Sequence, residues 1–247
     1  MANAHSIPTP QPLTYTYKTY LLPPHSPHLP FLTGKFSALS LRALSTDPAS
    51  FGMSYSTECT FTPAVWTTRI IRPNIQIFIC VAHPSDLPLS QQSIEHGDWI
   101  GMVTQIGSTG KSEFWIRDAG APEPLGDAEE TKWHQTALWI EPAHRGKGVA
   151  KLLIEVGVDY AKRSLVGSLR QARIRAFTGP SNEGSMGLYA SRGFPAVGKC
   201  TITEAVVANG NEEFGFWGRW DWNAEMMGMR MGVVMERVVR REEEEGP

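Results

Sequence analysis

Residues 143–149 read Ala-His-Arg-Gly-Lys-Gly-Val and stand between a short apolar run and an amphipathic pattern. The run is Ala137–Ile140 (ALWI), closed by Pro142, and its composition predicts a strand. Beyond the quoted stretch, Val149, Leu152, Leu153, Val156 and Tyr160 recur at the spacing of one helix face. Arg145, Gly146, Lys147 and Gly148 therefore open a helix with little side-chain bulk and local positive charge. The first amides of a helix have no partner within it, and the helix dipole favours negative charge at that end, so this turn suits a phosphate. A P-loop would need Gly-x-x-x-x-Gly-Lys-Ser/Thr, which the chain lacks; a dinucleotide fingerprint would need a third glycine where Lys151 stands.

Working outward, Arg173–Phe177 (RIRAF) reads as a further strand, followed by Asn182 and then by Leu188-Tyr189-Ala190-Ser191-Arg192-Gly193-Phe194. The string Arg145-x-x-Gly148-x-Ala150 resembles the Arg/Gln-x-x-Gly-x-Gly/Ala signature of the GNAT superfamily of acetyl-CoA-dependent N-acetyltransferases. Asn182 and the ending Tyr189-x-x-x-Gly193-Phe194 resemble that superfamily's second motif, in the right order and at the right distance. Together the two motifs cover about Trp133–Phe194. The string Leu41-Arg-Ala-Leu44 with Asp47-Pro48 and Phe51 is also similar to the first-helix region of many members.

The resemblance implies an α/β fold, a mixed and strongly bent sheet flanked by helices, that transfers acetyl from acetyl-CoA to an amine by direct attack in a ternary complex. Acetyl-CoA is then a cosubstrate and no metal is needed. By the same resemblance the turn Arg145, Gly146, Lys147, Gly148, Val149 and Ala150 holds the diphosphate. The pantetheine arm runs beside Trp133–Ile140 as an added strand, against Leu138, Trp139 and Ile140, and the amide near Ile140 donates to the thioester oxygen. Asn182 caps the next helix and reaches the arm. Tyr189, with a reference pKa of about 10, is the general acid for the departing thiolate; its structural alternative is a core tyrosine.

His134 stands where several members carry a Glu or His base. In a regular strand its parity matches Thr136, Leu138 and Ile140, and an imidazole titrates near neutrality. An ordinary strand histidine explains it equally, and Glu141 is a further candidate beside Pro142. Cys80 lies in a hydrophobic run, and Cys59 and Cys200 lack a signature partner, which argues against a cysteine acyl-enzyme. His25 and His28 form no metal constellation.

The chain of 247 residues is 41% hydrophobic and 19% charged, which fits one globular domain over 13–239. A net charge of −2 gives no footprint for nucleic acid, and no apolar run is long enough to span a membrane. Three scattered cysteines fit a reducing, intracellular setting, in cytoplasm or nucleus. The acceptor is an amine on a small molecule or on a protein, and a homodimer is compatible with the chain. The competing functions are an acyl-CoA-binding module without turnover and a protein acetyltransferase subunit of a larger assembly.

Residues 1–12, with Pro8, Pro10 and Pro12, read as a disordered tail, and Tyr15–Leu22 as the first strand. Leu32, Phe36, Leu39 and Ala43 share a helical face ended near Pro48, and 62–69 forms a second short helix. Ile75–Val81 and Trp99–Gln105 read as strands. Residues 107–132 form an unusually long insertion; its Phe114-Trp115-Ile116 is read as an anchor, with packing over a substrate site as the alternative. Val197–Val207 and Met226–Val239 are expected as strands, with Gly215–Trp222 between them. The Met-rich part of the latter is read as a core strand rather than a membrane or partner-binding box. Residues 240–247 are a charged tail.

Overall fold

The computed structural model describes residues 14–209, 229 and 231–241. The expected tail over 1–12, the Gly215–Trp222 segment, most of 226–231 and residues 242–247 lie outside them.

Strand β1 (Tyr15–Leu21) uses the Tyr/Thr-rich run and leads to helix α1 (Leu29–Thr46), which has Pro30 in its first turn. Leu32, Phe36, Leu39 and Ala43 are all buried on the predicted face of α1, and Pro48 follows its end. Helix α2 (Tyr55–Glu58) is capped by Ser54, and α3 (Pro63–Ile71) by Thr62, whose hydroxyls accept from Thr57 N and Val65 N. Strands β2 (Ile75–Pro84) and β3 (Asp98–Gly107) precede the short α4 (Lys111–Phe114) and the long β4 (Glu130–Ile140). Helix α5 (Val149–Arg163), strand β5 (Gln171–Thr178) and helix α6 (Glu183–Ser191) carry the two motifs. Strand β6 (Ala196–Cys200), helix α7 (Ile202–Ala208) and strand β7 (Gly232–Arg240) complete the described chain.

The strands form one mixed sheet in the order β1-β2-β3-β4-β5-β7-β6, antiparallel except for the parallel β4–β5 pair. Both faces are covered. Along β2, Ile77, Ile79 and Val81 pack with α1 and α3, while Phe78, Cys80 and Ala82 pack with Val149 and Leu153 of α5. On β5, Ala172, Ile174 and Ala176 meet Ile154 and Val158 of α5.

The opposite face of β5 is charged and still buried. Arg173 Nε donates to Glu130 at 2.6 Å and its Nη1 to Glu236 at 2.9 Å, while Arg175 Nε donates to the other Glu236 oxygen at 2.9 Å. The segment between β3 and β4 roofs this face. The guanidinium of Arg175 lies 3.7 Å from the centre of the Phe114 ring and donates to the Phe114 carbonyl. Ile116 and Ala119 pack with Cys200, Ala208 and Val234. Phe114 and Ile116 thus anchor the insertion, as expected, and the insertion is shorter than 107–132 because β4 already begins at Glu130.

One strand expectation is corrected, and one expected tail residue joins a strand. The 197–207 run turns at Thr201 from β6 into α7, because Thr201 Oγ1 accepts from Glu204 N at 3.0 Å and Glu204 Oε2 accepts from Thr201 N at 2.7 Å. This reciprocal capping box starts a helix despite the β-branched residues. The last strand runs from Gly232, and Arg240, expected in a solvated tail, instead pairs with Gln171 at its end.

Candidate active site

The site forms where β4 loses a neighbour. Its pairing with β5 runs from Glu130↔Gln171 to His134↔Arg175 and then stops. On the other side, β4 stays paired to β3 but carries a bulge: Thr136 pairs with Thr104 and Trp139 with Met102, so two residues oppose Val103. Ala137, at φ 53, is the only non-glycine residue with positive φ among those described. Beyond it Gln135–Ile140 and Phe177–Gly179 form opposite walls of a cleft of about 620 Å³.

The bulge corrects the parity expected for this strand. Before it, Trp133 packs among Ile154 and Val158 and Gln135 Nε2 donates to Ile154 O, so odd positions face α5. After it, Ile140 joins Val149 and Leu153 beside α5, with Leu138 against the same cluster, while Trp139 joins the α1 core. His134 and Ile140 therefore lie on opposite faces. The Glu141 amide donates to Ile100 O at 2.7 Å. By strand alternation the Ile140 peptide then points away from β3, toward the cleft. Arg145 Nε confirms this by donating to Ile140 O at 2.9 Å.

The turn after β4 lines the same cleft with Arg145, Gly146, Gly148, Val149 and Ala150. Gly146 and Gly148 have φ of 74° and 83°, a region that favours glycine, and Gly148 is the N-cap of α5. Among the described residues no acceptor takes the amides of Gly146, Lys147, Gly148, Val149, Ala150 or Lys151. The Val149 side chain is buried, so it contributes through its backbone, and Lys147 is exposed on the turn without lining the cleft. Lys151, which sequence reading noted only as a missing glycine, does line it.

Arg145 is tied down. Besides Ile140 O, its guanidinium pairs with Asp47 at the C-terminal cap of α1, and Trp139 Nε1 donates to the same carboxylate at 2.7 Å. Burial would raise the Asp47 pKa, but hydrogen bonds from Arg145 and Trp139 and the Arg145 charge outweigh it and hold the carboxyl below its usual range. In the sequence Asp47 stands out only within the string that resembles the family's first-helix region; nothing there announces a partner 98 residues away.

Across the cleft, Asn182 caps α6 by accepting from Ser185 N at 3.1 Å. Tyr189, on α6, packs its ring edge-on to Phe194 with centroids 5.3 Å apart and also lines the cleft. Burial raises its phenol above the ordinary range, so it holds its proton at neutral pH.

His134 does not reach this space. It is fully buried between Phe114 and Phe177, with ring centroids at 4.8 and 6.2 Å, and neither nitrogen has a hydrogen-bond partner. Burial and the nearby Arg175 charge hold its pKa well below the ordinary value. The geometry withdraws it as a base for an amine in the cleft. Glu141 pairs with Arg42 at 3.3 Å and does not line the cleft either. Burial pushes the Cys80 thiol up to about 12, so it offers no thiolate at neutral pH.

A second cavity of about 300 Å³ lies on the α1 side and shares Ser50, Phe51, Gln135, Thr136, Ala137 and Phe177 with the first. Its walls include Phe36, Leu44, Met53, Ile77 and Met102; its one carboxylate among the described residues, Glu58, accepts from Arg69 at 2.9 Å and from Ser40 at 3.2 Å. Among the described residues no helix is long and apolar enough to cross a membrane. No group of three or more His, Cys, Asp or Glu side chains among them is placed to hold a metal.

No curated protein matches the chain significantly. Among solved structures, a GNAT-family acetyltransferase from Streptococcus pneumoniae is similar, with a TM-score of 0.52 at 15% identity, covering 91% of this chain and 100% of that one. NAA60 of Arabidopsis thaliana, solved in complex with acetyl-CoA, gives a TM-score of 0.50 at 15% identity over 91% of this chain and 100% of its own. At such identities the likeness bears on the fold alone. The model of the acetyltransferase (GNAT) family matches residues 72–194, about half of the chain, and spans both motifs. With that match lying over the split sheet and its glycine turn, the chain belongs to the GNAT acetyltransferase family.

Proposed function

We propose that this protein transfers an acetyl group from acetyl-CoA to an amine by direct attack in a ternary complex. The observation that carries the reading is one cleft lined at once by a turn of unpartnered amides, an unpaired strand edge and a buried tyrosine. The amides of Gly146–Lys151 suit the diphosphate, with Lys151 adding charge. The pantetheine arm takes the place of the missing strand along β4. The Ile140 amide then donates to the thioester oxygen as negative charge develops there. Tyr189 gives its proton to the departing thiolate, and Asn182 fixes the start of the helix that carries it.

The acceptor enters through the second cavity, which shares Gln135, Thr136 and Ala137 with the cleft, and its nitrogen approaches the thioester from the α1 side. Walls that are apolar in larger part, with Arg69 and Arg72 among them, suit a neutral amine carried on an apolar body. The amine arrives neutral or loses its proton to water; Glu58 is given no part in the step, its charge being met by Arg69.

The test has two steps. Calorimetry with acetyl-CoA is expected to give saturable heat. A screen that reports free thiol then compares 2-phenylethylamine, spermidine, amino acids and peptide N-termini, with the apolar monoamine expected to lead. No heat with acetyl-CoA or CoA on folded protein would overturn the reading. Binding without thiol release across the panel would leave an acyl-CoA-binding module instead.

A further inference from the structure

The Arg145 side chain, by motif a candidate ligand for the diphosphate, is turned to another task. Its Nε is held by Ile140 O at 2.9 Å, and both terminal nitrogens reach Asp47, Nη1 at 3.5 Å and Nη2 more closely. A guanidinium has five N–H donors in a rigid fork, and here three of its nitrogens are engaged within the protein. Asp47 is fixed in turn by Trp139 Nε1 at 2.7 Å and by its own amide, which donates to Ala43 O at 3.0 Å. Ser50 and Phe51, just beyond Asp47, line both cavities.

A carboxylate at the rim of an anion site repels the anion. Its presence is understandable only if what it organises outweighs that repulsion.

We propose that Asp47 is a positioning residue for acetyl-CoA, gripping Arg145 so that the glycine turn stays open and its amides stay aimed into the cleft. The proposal rests on the acetyl-CoA reading above. It makes a prediction of opposite sign to charge counting. Removing a negative charge beside an anion site should tighten binding; removing the post that shapes the turn should weaken it.

The experiment is calorimetry of the full chain with acetyl-CoA, in unaltered form and as Asp47→Asn, Arg145→Gln and the double variant, with thermal melts as a fold control. Asparagine keeps an oxygen for Trp139 and loses the charge that holds Arg145. The expected result is about tenfold weaker binding for Asp47→Asn, a loss of 1.4 kcal/mol. In the Arg145→Gln background the same change should add little, because both act through one contact. Unchanged or tighter binding by Asp47→Asn overturns the proposal, as does a loss that adds fully to that of Arg145→Gln. If Asp47→Asn fails to fold, Arg145→Lys answers instead: lysine keeps the charge but cannot span Ile140 O and Asp47, so weaker binding supports the proposal and unchanged binding overturns it. Binding by the unaltered chain but not an Asp47 effect sinks this proposal alone; no binding by the unaltered chain sinks both.

Discussion

One strand, β4, is two different objects along its length. From Glu130 to His134 it is paired with β5, from Trp133 onward with β3 as well, roofed by the 108–129 segment and buried, with Lys132 and His134 fully enclosed. From Gln135 to Ile140 it keeps one neighbour, bulges at Ala137 and borders open space. The first half carries three ionisable side chains, yet Glu130 is taken by Arg173, Lys132 by Asp127, and His134 is shut between two rings. The second half is nearly devoid of them and still builds the site, because what it offers is main chain. On the proposed reading, chemistry in this fold comes from where pairing ends rather than from where charge is densest.

The largest test breaks the closed half. Arg173→Ala leaves Glu130 in the interior without its cation, while Glu236 keeps Arg175, and removing one partner from a buried charge network is expected to destabilise by about 3–5 kcal/mol. Denaturant unfolding measures it, and a loss below about 1 kcal/mol, the ordinary exposed-pair value, would mean that this half is not sealed.

Next comes the acid proposed across the cleft from the open half, Tyr189 on α6. Tyr189→Phe should lower kcat about a hundredfold, the low end for a general acid, while acetyl-CoA affinity changes little. A fully active variant removes Tyr189 from the chemistry without touching the fold.

A smaller effect is expected at the turn. Gly148→Glu forces a side chain into a left-handed conformation, at about 1–2 kcal/mol, and places a carboxylate among the amides proposed to take the diphosphate. Acetyl-CoA binding should weaken by at least about tenfold, or 1.4 kcal/mol, with the far-ultraviolet circular dichroism spectrum unchanged; equal affinity would show that the turn does not meet the diphosphate.

The smallest test separates the halves by pH. His134 is held neutral in the fold, by burial first and Arg175 second, so its folded pKa lies below its unfolded value of about 6.5. The unfolded chain takes up a proton below that pH and the folded chain does not, so stability falls as the pH drops. His134→Phe should remove about 1 kcal/mol of the acid-side loss between pH 7 and 5.5 and leave turnover intact. If turnover collapses instead, His134 belongs to the site after all.

Much of the open half was legible because its devices are local. Glycines at 146 and 148, the apolar spacing of α5 and the asparagine cap at 182 each act within a turn or two of themselves. The bulge was not legible, since an alanine occupies the positive-φ position where a glycine would have flagged it; assuming a regular strand then put His134 on the wrong face. The tie between Asp47 and Arg145, and the roof that the 108–129 segment lays over Arg175, join residues far apart in sequence. Helix α7 was a different failure: Val and Ile outweighed a Thr201-x-x-Glu204 box that was there to be read.

The pairing that ends at His134 has a consequence for solvent access. The outward peptide of Ile140 has no strand beside it, so its amide hydrogen should trade with deuterium quickly, whereas the doubly paired peptides of Trp133 and His134 should hold theirs for far longer. A slender molecule lying along that edge would erase the contrast, which makes the exchange rate at one peptide a gauge of whether the gap is filled.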